Sequence, residues 1–104
     1  MMLLPDQQRE LGDLMNHAPA AAERVWRQLA KDLATDQFGF PNAPQSIQEV
    51  AEVMPFFIDG CCEFASHPIA PGRVQQMKHA ARSAFYERLC SLADAAEATK
   101  GGSA

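Results

Sequence analysis

The 104-residue chain has no apolar run near the roughly 18 residues that a membrane-spanning helix needs, which excludes a transmembrane segment. Its opening Met-Met-Leu-Leu-Pro-Asp has neither a basic leader nor an apolar core, so no secretory signal is expected. Cysteine is scarce and odd in number: Cys61, Cys62 and Cys90. Neighbouring cysteines rarely bridge each other, and no C-x-x-C spacing occurs. Free thiols in a reducing, cytoplasmic compartment are therefore expected. Cys61 falls in an apolar stripe, where a thiol serves as a small hydrophobe. A reactive or metal-binding Cys61–Cys62 pair is the lesser alternative.

Positive charge is also short. Nine Lys and Arg stand against 13 Asp and Glu, a net of −4. That is too acidic for a typical nucleic-acid binder and too mild for a carboxylate-coated DNA mimic. Hydrophobic residues at 47% and charged residues at 21% are ordinary globular values. They exclude a wholly disordered chain, a collagen and a disulfide-dense miniprotein. The length suits one domain, residues 1–98, with a disordered tail at 99–104. Arg exceeds Lys and Ala is abundant, as in GC-rich bacterial genomes.

Strand patterns are missing: Val and Ile are few, and no segment alternates apolar and polar residues for long. What is present reads as four helices. The first starts at Pro5, carries Leu11, Leu14 and Met15 on one face, and ends at Asn16–His17 before Pro19. The second runs from Pro19 to about Asp36 with Ala22, Val25, Trp26, Leu29, Ala30 and Leu33 recurring at helical spacing. Gly39 would allow a left-handed exit, with Phe38 and Phe40 folding back over the core. The third opens on a capping box, Ser46-Ile47-Gln48-Glu49. Its apolar positions are Ile47, Val50, Met54, Phe57, Ile58, Cys61, Phe64 and Ala65. Pro55 interrupts this segment, but the stripe keeps its phase across it, so one kinked helix from Ser46 to Ser66 is preferred over two. The fourth helix runs from Pro71 to about Ala98 with Val74, Met77, Ala81, Phe85, Leu89, Leu92 and Ala96 in its stripe. About twenty large apolar side chains at roughly 1.5–3 kcal/mol each can close one core without metal or disulfide. The expected architecture is all-α: a compact four-helix bundle with a kinked third helix and a long C-terminal helix. The end of that helix could overhang and pair with a second copy.

Catalytic signatures are missing too. There is no phosphate loop, no G-x-S-x-G, no H-E-x-x-H and no E-x-x-H pair of the di-iron bundles, so no catalytic or cofactor-binding residue is assigned. Asp59, Glu63 and His67 share a face at i, i+4 and i+8 and could offer metal ligands, but a solvated stripe explains them better, and no metal is assigned. His79 and Cys90 lie about 16 Å apart along one helix, too far for a catalytic pair. A helix-turn-helix is not found, because Pro55 falls where a turn would be needed.

Two faces remain. Residues 45–64 carry Glu49, Glu52, Asp59 and Glu63 and no Lys or Arg. These acids fall within about 80° of one another on a helix, opposite the apolar stripe, and Phe56 falls among them. Either the Pro55 kink turns Phe56 inward, or it is a lone exposed ring, or it is an aromatic anchor ringed by acids for a basic partner. On the last helix, Gln75, His79, Arg82 and Tyr86 line one polar face. Arg73, Lys78, Arg82 and Arg88 could pair with the acids of the third helix within the fold, or touch phosphates. The leading expectation is a non-enzymatic helical binding protein: an adaptor, regulator or inhibitor, of a kind that phages and plasmids encode. It would act through Glu49, Glu52, Phe56, Asp59, Glu63, His79, Arg82 and Tyr86 on a protein with a basic surface, or as a homodimer. The alternatives are a nucleic-acid-associated regulator using the last helix and a small metal or thiol protein.

Overall fold

The computed structural model describes residues 4–39 and 47–102. Among these the chain is all-α, with four helices and no strand: α1 (Pro5–His17), α2 (Pro19–Gly39), α3 (Ile47–Phe64) and α4 (Pro71–Gly102). Pro5 and Pro19 stand at first helical positions, where a missing N–H costs nothing. The Gln7 side chain accepts a hydrogen bond from the Leu4 N–H at 2.9 Å and closes the start of α1. Pro55 lies inside α3, which stays one helix through it, as the unbroken phase of its stripe required. Ser46 and its cap, and the side chains of Phe38, Phe40, Ile47, Val50 and Ala96, lie outside the described residues. The helix α4 extends to Gly102, past the end at about Ala98 that its apolar spacing suggests. Residues 93–98, four of them Ala, favour helix and hold no breaker before the Gly101–Gly102 pair.

Successive residues fix how the helices run. Gln8 reaches Gly60, Gly12 abuts Cys61 and Ala65, and Asp13 bonds Ser66, so residue numbers rise together and α1 runs parallel to α3. The Arg88 Nε donates to Thr35 Oγ1 at 3.2 Å, and α2 and α4 both begin near the end of α1, so these two are parallel as well. Each sequential hairpin, α1–α2 and α3–α4, is antiparallel. The bundle is thus two hairpins side by side, with α1 against α2 and α3, and α4 against α2 and α3.

The core joins Leu11 and Met15 of α1, Ala22, Trp26, Ala30 and Ala34 of α2, Ala51, Met54, Ile58 and Cys61 of α3, and Met77, Ala81, Ala84, Phe85 and Leu89 of α4. Leu14, Leu29, Leu33 and Val74 pack partly buried around it. One junction is tighter than the rest. A Cβ on Gly12 would stand 2.5 Å from the Cys61 carbonyl oxygen and 2.8 Å from the Ala65 Cβ. Only glycine lets the two backbones approach this closely. The same end is tied by polar contacts. Asp13 accepts from the Ser66 N–H at 2.7 Å and the Ser66 hydroxyl at 2.9 Å. Arg73 Nη1 donates to the carbonyls of Met15 at 3.3 Å and Asn16 at 2.9 Å, which places a cation on the negative end of α1.

The molecule measures 56 × 25 × 19 Å. Most of the long dimension is α4, whose 32 residues span about 48 Å. Counting from the Thr35–Arg88 contact, α2 ends near the level of Leu92, and α4 runs on for about 15 Å. Among the described residues no helix is long and apolar enough to cross a membrane.

Candidate protein-docking face

The inward arc of α3 is narrow. Ala51, Met54, Ile58 and Cys61 fill it and are almost fully buried. The apolar residues of α3 spread much further round the helix than the stripe, roughly 100° wide or more, that one core contact usually takes. Those left over face outward: Val53 is 49% exposed, Phe56 69%, Phe57 39% and Phe64 47%. Phe57 and Phe64 were expected in the core stripe, and the structure corrects this. The Gly12 contact draws α1 onto the backbone at Cys61 and Ala65, which leaves no room between the helices for a phenyl ring. In addition, α1 starts only at Pro5, level with Phe57, so nothing in α1 reaches Val53.

Phe56 stands on the crest of α3, roughly opposite Ile58 and Met54 on the wheel. It is exposed, so Pro55 does not turn it inward. Val53, Phe57 and Phe64 lie on the shoulder toward α1. Glu52, Asp59 and Glu63 lie on the shoulder toward α4, and Glu49 beside the crest. Glu49, Glu52 and Glu63 are exposed. Asp59 departs from the expected open acidic stripe. Its Oδ1 lies 2.7 Å from the Lys78 Nζ across the α3–α4 seam, with both side chains partly shielded.

The polar face of α4 is exposed as its periodicity predicts: Gln75, His79, Arg82 and Tyr86 all meet solvent. The Tyr86 ring stands edge-on to the buried Phe85 at 5.7 Å, so its position is braced from within. Counting from the Asp59–Lys78 pair along antiparallel helices puts Arg82 level with Pro55 and Tyr86 level with Ala51. These two residues therefore border the acidic shoulder of α3. Of the four cations in this stretch, three are engaged within the fold. Lys78 holds Asp59, Arg73 caps α1, and Arg88 bonds Thr35. Arg82 alone of the four remains on the open face, which makes α4 a poor phosphate track.

Neither metal nor thiol chemistry gains support. Among the described residues no three His, Cys, Asp or Glu side chains gather into a group that could hold a metal ion. Burial, with the neighbouring Cys62 second, pushes the Cys61 thiol up to about 11. Burial and then Asp59 push Cys62 up, against a smaller opposing pull from Lys78. Thiols held protonated at neutral pH are weak nucleophiles and weak ligands.

The signal that sequence reasoning passed over was the width of the apolar arc. A helix with phenylalanines on both sides has more apolar surface than the two neighbours of α3 cover. No protein family, characterised protein or solved structure matches the chain, so the geometry of this face stands by itself.

Proposed function

We propose that the protein is a non-enzymatic binding protein, an adaptor, regulator or inhibitor, that docks a protein with a basic surface on the outer face of α3. The observation that carries this reading is Phe56, 69% exposed on a crest bordered by Glu49, Glu52 and Glu63, with Val53, Phe57 and Phe64 beside it. Single exposed apolar residues are ordinary, but four large ones on one face of one helix form a patch of the kind that marks an interaction site. No Lys or Arg shares residues 45–64 with the acids, so this face carries charge of one sign. A cationic partner suits it, since complementary charge speeds encounter and sets register, while the desolvated aromatic centre supplies affinity. Arg82 and Tyr86, along the neighbouring edge of α4, extend the same surface.

The test is paired capture from a bacterial lysate with the wild type and Phe56→Ala as baits, read by mass spectrometry. The reading expects basic polypeptides that the wild type retains and Phe56→Ala loses, each then confirmed by direct binding of the purified pair. Identical capture by both baits would overturn it. Retained nucleic acid lost on Arg82→Ala would put a nucleic-acid-associated role on α4 in its place.

A further inference from the structure

The outer face of α3 carries an exposed apolar seam, and we infer that its occupant is a cationic amphipathic helix of another protein. This inference rests on the docking role proposed above and specifies its partner. Val53, Phe57, Gly60 and Phe64 recur at spacings of four, three and four, which is the straight seam along which two helices interlock side chains. The seam is about 16 Å long, three turns of a partner helix. Gly60 sits in its middle. A Cβ there would meet only the Gln8 Nε2, at 3.8 Å, so the end of one flexible side chain is all that stands beside this hole, where a partner's large side chain can approach the backbone. Gln8 of α1 bounds the seam on one side, and Phe56 with Glu52 and Glu63 bounds it on the other. A partner lying there with apolar residues at i, i+3, i+4 and i+7 would fill the hole and rest on the rings, and Lys or Arg on its flank would face the glutamates.

Charge chooses between the occupants. A second copy presenting its own α3 would set glutamates against glutamates, because residues 45–64 hold no Lys or Arg. A second copy presenting α4 would offer Arg82 with little support, since Lys78, Arg73 and Arg88 are engaged in their own fold. A Lys- or Arg-rich helix of different origin meets neither difficulty.

The experiment titrates the full-length protein with three capped peptides of about fourteen residues, followed by calorimetry at two salt concentrations. The first has leucines at i, i+3, i+4 and i+7 with lysines elsewhere. The second replaces every lysine by glutamate. The third keeps the first composition but scrambles the stripe. The inference expects the first peptide to bind, to gain helix on binding, and to weaken as salt rises, and the other two to bind at least tenfold more weakly. Phe56→Ala and Gly60→Lys should each weaken the first peptide at least tenfold while both variants keep the wild-type circular dichroism spectrum. Equal binding of the scrambled peptide would overturn the helical occupant. So would affinity unchanged by Gly60→Lys, or failure of the first peptide to bind. Concentration-dependent self-association that Phe56→Ala abolishes would overturn it in favour of a second copy. The lysate capture described above is independent of peptide shape, so it continues to judge the wider docking role if the helix fails.

Discussion

The two faces of α3 are made of similar residues and do opposite things. The inner face, Ala51, Met54, Ile58 and Cys61, is almost wholly withdrawn from water. The outer face, Val53, Phe56, Phe57 and Phe64, is at least as apolar and lies substantially in water. Composition does not separate them. What separates them is the position of α1, brought close at Gly12 over one part of the helix and missing over the other. Apolar surface that the fold leaves uncovered contributes little to stability and is available for a partner.

The contrast is broken most forcefully from inside. Ile58→Ala removes a side chain with no exposed surface and should cost about 2–5 kcal/mol in chemical denaturation, through lost burial and the cavity left behind. Gly12→Val should come next, at about 1–3 kcal/mol, because its Cβ meets a backbone carbonyl that has no rotamer to yield. Gly60→Ala, on the same pair of helices, should stabilise the protein by up to about 1 kcal/mol, since its Cβ makes only an ordinary contact with the Gln8 side chain and alanine favours helix. Equal losses at the two glycines would contradict the described packing.

The polar tie at the closed end gives a pH dependence of known sign. The Ser66 N–H and then its hydroxyl hold the Asp13 carboxyl below the usual carboxylate range, helped by His17 and His67. A depressed carboxylate pKa adds stability that is fully present above the unfolded value and is lost as pH falls through the folded one. Acid melts should therefore show a loss of stability below about pH 4 that Asp13→Asn reduces. A smaller effect is expected at the α3–α4 seam. Asp59→Asn breaks a partly exposed ion pair with Lys78, worth about 0–1 kcal/mol by double-mutant cycle.

How much of this was legible in the chain follows from which interactions are local. Proline at first helical positions, the apolar spacing of Leu11 and Met15, and the phase of α3 across Pro55 are sequence-local, and the helices follow them. The inward side of α3 is not local. Met54 and Phe57 lie about 60° apart on the wheel, and where α1 and α4 come to lie against α3 decides which of them is covered. Asp59 resembles Glu63 along its own helix, and only Lys78 on the next helix sets it apart. The exposure of Phe56 was legible as a misplacement: an aromatic residue in an acidic arc.

The account turns on whether Phe56 serves the fold. Its most direct test is the thermal melt of Phe56→Ala, followed by circular dichroism beside the wild type. A side chain 69% exposed should cost no more than about 0.5 kcal/mol, so the melting temperature should stay within about 4 °C. A drop comparable to that of Ile58→Ala would show that Phe56 is packed, and that the outer face of α3 belongs to the core.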